Sequence, residues 1–175
     1  MFSWMSNAER VGNTDSEQPD VEAWAAEVAA TAPNVDWKTY IQDKQYGVVI
    51  SLPHECSITG TLTIDEGEKS TLKIDMIKVH ELLRGQRRGI GERLLRALVS
   101  ETKKYGAQRI VGHVTSKSAL AVRAKVFGKE NLQFHNHITG DRVERTYEQV
   151  MAEQDPVNPD NLNYDVVSEI GEREL

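Results

Sequence analysis

The stretch HELLRGQRRGIG, residues 80–91, divides two segments of different period, and the fold turns on how it is read. Upstream, residues 72–79 (LKIDMIKV) alternate as a β-strand does. Downstream, residues 90–105 put Ile90, Leu94, Leu95, Leu98 and Val99 on one helical face, with Arg93, Arg96, Lys103 and Lys104 elsewhere, and Gly106 ends the helix. Gln86-Arg87-Arg88-Gly89-Ile90-Gly91 is therefore a strand-to-helix loop. The first amides of a helix have no partner within it, and the helix dipole adds partial positive charge there. Glycines let a pyrophosphate come close to those amides, and arginines add charge-assisted hydrogen bonds. The loop reads as a phosphate cradle.

Working outward, residues 47–52 (GVVISL) and 57–64 (SITGTLTI) are further strands, with DEGEKS at 65–70 as the turn into residues 72–79. These form an antiparallel meander. Beyond the helix, residues 109–115 (RIVGHVT) are a strand, and Ser116 or Ser118 caps a helix that runs to Phe127 and stops at Gly128. Residues 132–138 and 143–151 close the domain around Thr139, Gly140 and Asp141; the second of these fits a strand or a helix, since Val143, Tyr147, Val150 and Met151 suit either. Two helices precede the meander. One is capped by Asp20 over residues 21–32, and the other is short, marked by Trp37, Tyr40, Ile41 and Lys44. The chain thus divides into a polar arm at 1–19, a domain at 20–151 and an acidic tail at 152–175, where Leu162, Val166 and Ile170 suggest a short docking helix.

At 175 residues and 19.7 kDa the chain holds one core of ordinary size. Its one cysteine, Cys56, excludes an internal disulfide framework and a four-cysteine zinc site. No apolar run approaches the roughly 20 residues of a membrane span, and the start of the chain has no signal-peptide pattern, so a cytoplasmic protein is expected. The net charge of −6 is unevenly spread. Residues 151–175 carry seven acids and one base, whereas residues 71–129 carry 14 Lys or Arg against Asp75, Glu81, Glu92 and Glu101. A basic middle calls for an anionic ligand. Nucleic acid is a poor candidate, because no aromatic residue stands between Arg84 and Lys104 to stack a base.

Among phosphate cradles, a Rossmann loop wants a third glycine where Leu94 stands, and a P-loop wants Gly-Lys-Ser/Thr, which is absent. What remains resembles the pyrophosphate motif of the GNAT superfamily of acyl-CoA N-acyltransferases, in which Gln or Arg is followed two residues later by Gly-x-Gly or Gly-x-Ala. Here the motif is Gln86, Arg87, Arg88, Gly89, Ile90 and Gly91, and the resemblance covers roughly residues 46–150. It implies an α+β fold with a mixed, mostly antiparallel sheet, a splayed central strand pair and flanking helices. It implies acetyl-CoA as cosubstrate, with the pantetheine arm against Ile77, Lys78 and Val79, the pyrophosphate on residues 86–91, and Lys125 or Arg123 near the nucleotide phosphates. It also implies an opening strand, for which residues 2–5 or 10–11 are the candidates.

Acylation of an amine needs a base for the ammonium and an acid for the departing thiolate. The family's usual tyrosine acid would fall near Ala124 or Lys125, yet no tyrosine lies between Tyr105 and Tyr147. Ser118 stands near that helix start and serves either as cap or as acid; Asp75 serves either as base or in a salt bridge, with Lys73 the alternative in register. His135 and His137 share a strand face without a carboxylate or cysteine at ligand spacing, so no metal site is expected. Two functional expectations follow: an acetyl-CoA-dependent N-acetyltransferase acting on a primary amine, or a GNAT-fold assembly protein, virus-encoded for instance, that docks on a partner or on sister subunits through its terminal tails.

Overall fold

Asp20 accepts a hydrogen bond from the Ala23 amide at 3.0 Å and so starts helix α1 (Val21–Ala30) in the computed structural model, which describes residues 20–39, 44–64, 69–84 and 88–171. The expected N-terminal arm, with its candidate opening strands, lies outside the described residues, as do Gln86 and Arg87. After α1 come strands β1 (Asn34–Thr39), β2 (Gln45–Leu52), β3 (Cys56–Thr63) and β4 (Thr71–Lys78). Helix α2 (Ile90–Lys103), strand β5 (Arg109–Ser116) and helix α3 (Lys117–Phe127) follow. The chain then forms β6 (Leu132–Asn136), the two-residue β7 (Arg142–Val143), the short helix α4 (Tyr147–Met151) and β8 (Asn161–Glu169).

Among the described residues these strands form one eight-stranded sheet in the order β1-β2-β3-β4-β5-β8-β6-β7. Every pair is antiparallel except β4 with β5. This is the mixed, mostly antiparallel α+β architecture that the sequence implied. Alternation decides which face is covered. On β3, Cys56, Ile58, Gly60 and Leu62 turn inward under α2, while Ser57, Thr59, Thr61 and Thr63 turn to the other face. Helix α2 sets Leu94, Leu95, Leu98 and Val99, all fully buried, against that inner face. Each contributes about 1.5–3 kcal/mol relative to exposure.

The core is divided in two. One apolar cluster joins α1, α2 and β2 to β4 and includes Ile110 of β5 and Val126 of α3; the other joins Leu120 of α3 to α4, β6 and β8 and includes Val114 of β5. The division falls at Gly112.

Three local expectations are corrected. The second helix expected around Trp37 is strand β1 over its described part, because Trp37 pairs with Val48 in the sheet and donates its indole N–H to Glu101 of α2 at 3.0 Å. The expected docking helix at the C-terminus is instead β8, held between β5 and β6, with Leu162 and Val166 buried. Residues 143–151, which fitted either state, divide: Val143 ends β7, and Thr146 starts α4 with a reciprocal capping box to Gln149.

Candidate functional site

Strands β4 and β5 are paired only at Thr71–Arg109, Leu72–Ile110 and Lys73–Val111, and both continue without each other to Lys78 and Ser116. A wedge therefore opens toward their C-terminal ends. Within it, the backbone groups of β4 that do not face β3 have no strand to bond, and the same holds for β5 on its β4 side. The splayed pair expected from the sequence is present. Opposite Thr59 and Gly60, β4 carries one extra residue, since these pair with Met76 and Ile74 and leave Asp75 as a bulge. Such bulges re-aim side chains. The bulge lies two residues beyond the last β4/β5 pair.

Helix α2 begins at the mouth of the wedge. Its N-cap, Gly89, has φ +69° and offers no side-chain cap, so the opening amides keep the donor character of a bare helix start. A Cβ on Gly89 would meet nothing within 4 Å among the described residues. A pocket of ≈ 310 Å³ lies over this start, lined by Ala25, Ala26 and Ala29 of α1 together with Arg88, Ile90 and Arg93. The alanines make that room. Around them, Glu22 accepts two hydrogen bonds from Arg88 at 2.7 Å, and Arg93 donates to the Val28 and Thr31 carbonyls. Trp24 stacks on His54 at 4.2 Å and pins α1 to the β2–β3 turn.

The remaining cofactor candidates are placed as follows. Ile77 pairs with Ile58 and Lys78 with Ser57, so both stand on the β4 side of the wedge; Lys78 also bonds Glu55 at 2.7 Å. Val79 accepts from Arg84 Nε at 2.8 Å. Gly91 faces Val122, whose Cγ2 would be 3.6 Å from a Cβ there, so the glycine lets α2 and α3 approach. Lys125 is exposed beside the middle of α2, where its carbonyl accepts from Arg96.

For the chemistry, Asp75 accepts from Thr61 Oγ1 at 2.9 Å on the uncovered face. Ser116 caps α3 through the Ala119 amide, and Ser118 only shares a hydroxyl contact with it at 3.2 Å. His135 and His137 do not act together. His135 Nδ1 lies 3.1 Å from the Gly140 carbonyl, whereas His137 pairs with Asp165 at 2.9 Å and stacks on His113 at 3.6 Å. His113 Nε2 in turn lies 2.9 Å from Asn163 Oδ1. His113 stands two residues past the last β4/β5 pair on β5, as Asp75 does on β4, and both are exposed on the same face. Sequence reasoning did not single it out.

It also missed the partnership of Arg123 with Gly112. Arg123 is 3% exposed and sits among Leu120 and Val126 on α3. Its Nη1 donates to the Val166 carbonyl at 3.1 Å, and a Cβ on Gly112 would lie 2.3 Å from its Nη2. Burial pulls its pKa down to about 10, although the charge of Asp165 raises it, so the guanidinium stays ionised at neutral pH. The signal was there in the sequence: a lone glycine inside a strand marks close approach, and an arginine on an apolar helix face marks a buried charge.

No protein-family model and no curated protein matches the chain. Solved structures do resemble it. A Bacillus subtilis acetyltransferase in complex with CoA is 13% identical with a TM-score of 0.47 over 79% of this chain and 99% of that one. The Bacillus cereus IAA acetyltransferase is 16% identical at 0.47, over 79% and 100% of the two chains. An Elizabethkingia anophelis GNAT family acetyltransferase with acetyl-CoA bound is 12% identical at 0.45, over 79% and 98%. Likenesses of this size decide neither substrate nor residue roles. The geometry agrees with the architecture expected from the sequence: one parallel, splayed pair in an otherwise antiparallel sheet, with α2 in the connection between the two strands.

Proposed function

We propose that the protein is an acetyl-CoA-dependent N-acetyltransferase that acts on a primary amine. The observation that carries this reading is the wedge between β4 and β5, where three paired positions give way to unpaired backbone on both strands. A pantetheine arm is a chain of amides, and it satisfies such edges as a strand would. Residues 74–79 would bond it on the β4 side. The amides behind Gly89, with Arg88 and Gly91 alongside, would hold the pyrophosphate, and the pocket over this helix start, lined by Arg88, Ile90 and Arg93, supports that reading. Acetyl-CoA supplies the activated acyl group. Asp75 or His113, flanking the wedge on the uncovered face, would take the proton of the acceptor ammonium. The acceptor would enter near Thr115, beside a pocket of ≈ 640 Å³ whose walls include Asn136, Asp155 and Tyr164.

A second reading, a GNAT-shaped assembly protein, has one contact in its favour: Glu22 engages Arg88 and so ties α1 to the cradle. Its C-terminal docking tail is withdrawn, since β8 is part of the sheet. Titration calorimetry separates the two. Acetyl-CoA binding in the micromolar range supports the transferase reading, and a folded protein that shows no heat at high micromolar ligand overturns it.

A further inference from the structure

Arg123 is a buried cation that the cradle does not use. Its guanidinium lies against Gly112. Nη1 takes the Val166 carbonyl on the β8 side, where Val166 is the sheet partner of Gly112. The point where a Gly112 Cβ would stand is 2.3 Å from Nη2 and 3.1 Å from the Ile74 Cβ. Ile74 is the first β4 residue past the last pair with β5, so Nη2 lies at the level where the two strands part. Among the described residues the Val166 carbonyl is the one hydrogen-bond acceptor of this side chain. The core divides at the same level, between Ile110 and Val114, so no apolar side chain of β5 fills that position. A side chain that is 3% exposed carries a charge here, beside the position where the strands part, with the charge of Asp165 offsetting part of its burial cost. Buried charges are costly and are retained where something uses them.

We propose that Arg123 holds the sulfur of the coenzyme at the vertex of the wedge and stabilises it as a thiolate when the acyl group departs. The inference rests on the acetyltransferase reading and names the residue that takes over from the missing tyrosine. Acyl transfer forms the amide C–N bond, breaks the thioester C–S bond and leaves that electron pair on sulfur, while the surplus proton of the amine passes to the base and then to water. Arg123 gives up no proton in this step. It lowers the energy of the leaving group by charge and by an N–H donated from Nη2.

The test reads the thiol directly. CoA in its free-thiol form is bound to the full-length protein, and the thiolate is followed by its ultraviolet absorbance as pH is raised. An adjacent cation is expected to raise the thiolate fraction at a given pH below the thiol's own pKa about tenfold or more over that of free CoA. Arg123→Met is expected to return it to the free value, and Arg123→Lys to retain part of the effect. If wild-type protein binds CoA and the thiol titrates as it does in free solution, the role of Arg123 is overturned while the cofactor reading stands. If CoA does not bind at all, both fall. An Arg123→Met protein that binds CoA and keeps the raised thiolate fraction also overturns the role. Should that variant fail to fold, the wild-type titration decides without it.

Discussion

The two ends of the β4/β5 pair are built from the same two strands and do opposite things. At the closed end, residues 71–73 and 109–111 pair in parallel register, the Gln108 and Arg109 amides donate to the Ser70 carbonyl, and Glu169 of β8 bonds Lys69 at 2.9 Å and Arg109 at 3.4 Å. Three segments distant in sequence are clamped together there. At the open end, β4 carries a bulge at Asp75, β5 carries Gly112 against the buried Arg123, and the two strands pair no further. Parallel strands of equal length would pair throughout if nothing intervened. The contrast teaches that the wedge is a designed feature of the sequence: one end is locked by charge and ladder hydrogen bonds so that the other can stay unpaired.

The largest effect in breaking this contrast is expected from Gly112→Val. Its side chain meets Arg123 Nη2, the Ile74 Cβ and the Ile74 carbonyl, the last at 3.2 Å and part of the backbone. About 1–3 kcal/mol of stability should be lost, read from chemical denaturation, with loss of acetyl-CoA binding. Gly89→Glu acts on the mouth alone. A Cβ there meets nothing, so the left-handed backbone costs about 1–2 kcal/mol, while a carboxylate in front of the cradle should weaken acetyl-CoA binding at least tenfold by calorimetry. Glu22→Gln removes the acid that occupies Arg88. Exposed pairs contribute about 0.2–1 kcal/mol, so the melting temperature should barely change and acetyl-CoA should bind up to about fivefold more tightly.

The smallest effect concerns the closed end. Burial pushes the Glu169 carboxyl up, but the hydrogen bond and charge of Lys69 and the guanidinium of Arg109 outweigh it and hold it below the ordinary 4.5. A carboxylate depressed in the folded chain contributes its stability above its unfolded pKa and loses it as pH falls through the folded one. Amide-exchange protection at the end of β8, taken relative to the intrinsic rate at each pH, should therefore fall as pH drops below about 4.5, and Glu169→Gln should remove that pH dependence.

Much of the centre was legible from local pattern. Strands β2 to β5 and helices α2 and α3 fall within a residue or two of where period and caps put them, with Ser116 the cap of α3 and Gly128 its stop. The misread parts were those whose pattern is ambiguous without a partner. Leu162, Val166 and Ile170 are spaced by four, which suits a helix turn and, being even, also suits one face of a strand; the pairing with β5 and β6 decides for the strand. The tail's acids then find their use, Asp165 with His137 and Glu169 with Lys69 and Arg109, so the polarised charge of the sequence is neutralised in part within the sheet. Trp37 also fitted a helix, and local pattern does not specify its pairing with Val48. At the site, the loop glycines announced themselves, whereas His113 and Arg123 depend on neighbours from β6, β8 and β4 that only the assembled sheet brings near.

The claim on which the rest depends is that the open end of the wedge takes acetyl-CoA. Amide chemical-shift mapping on isotope-labelled protein tests it most directly. The expected result is saturable change confined to residues 74–79, 88–92 and 112–116, with the closed end at 71–73 and 109–111 unmoved. Shifts gathered on the far edge at β1, or none at millimolar acetyl-CoA, would contradict it.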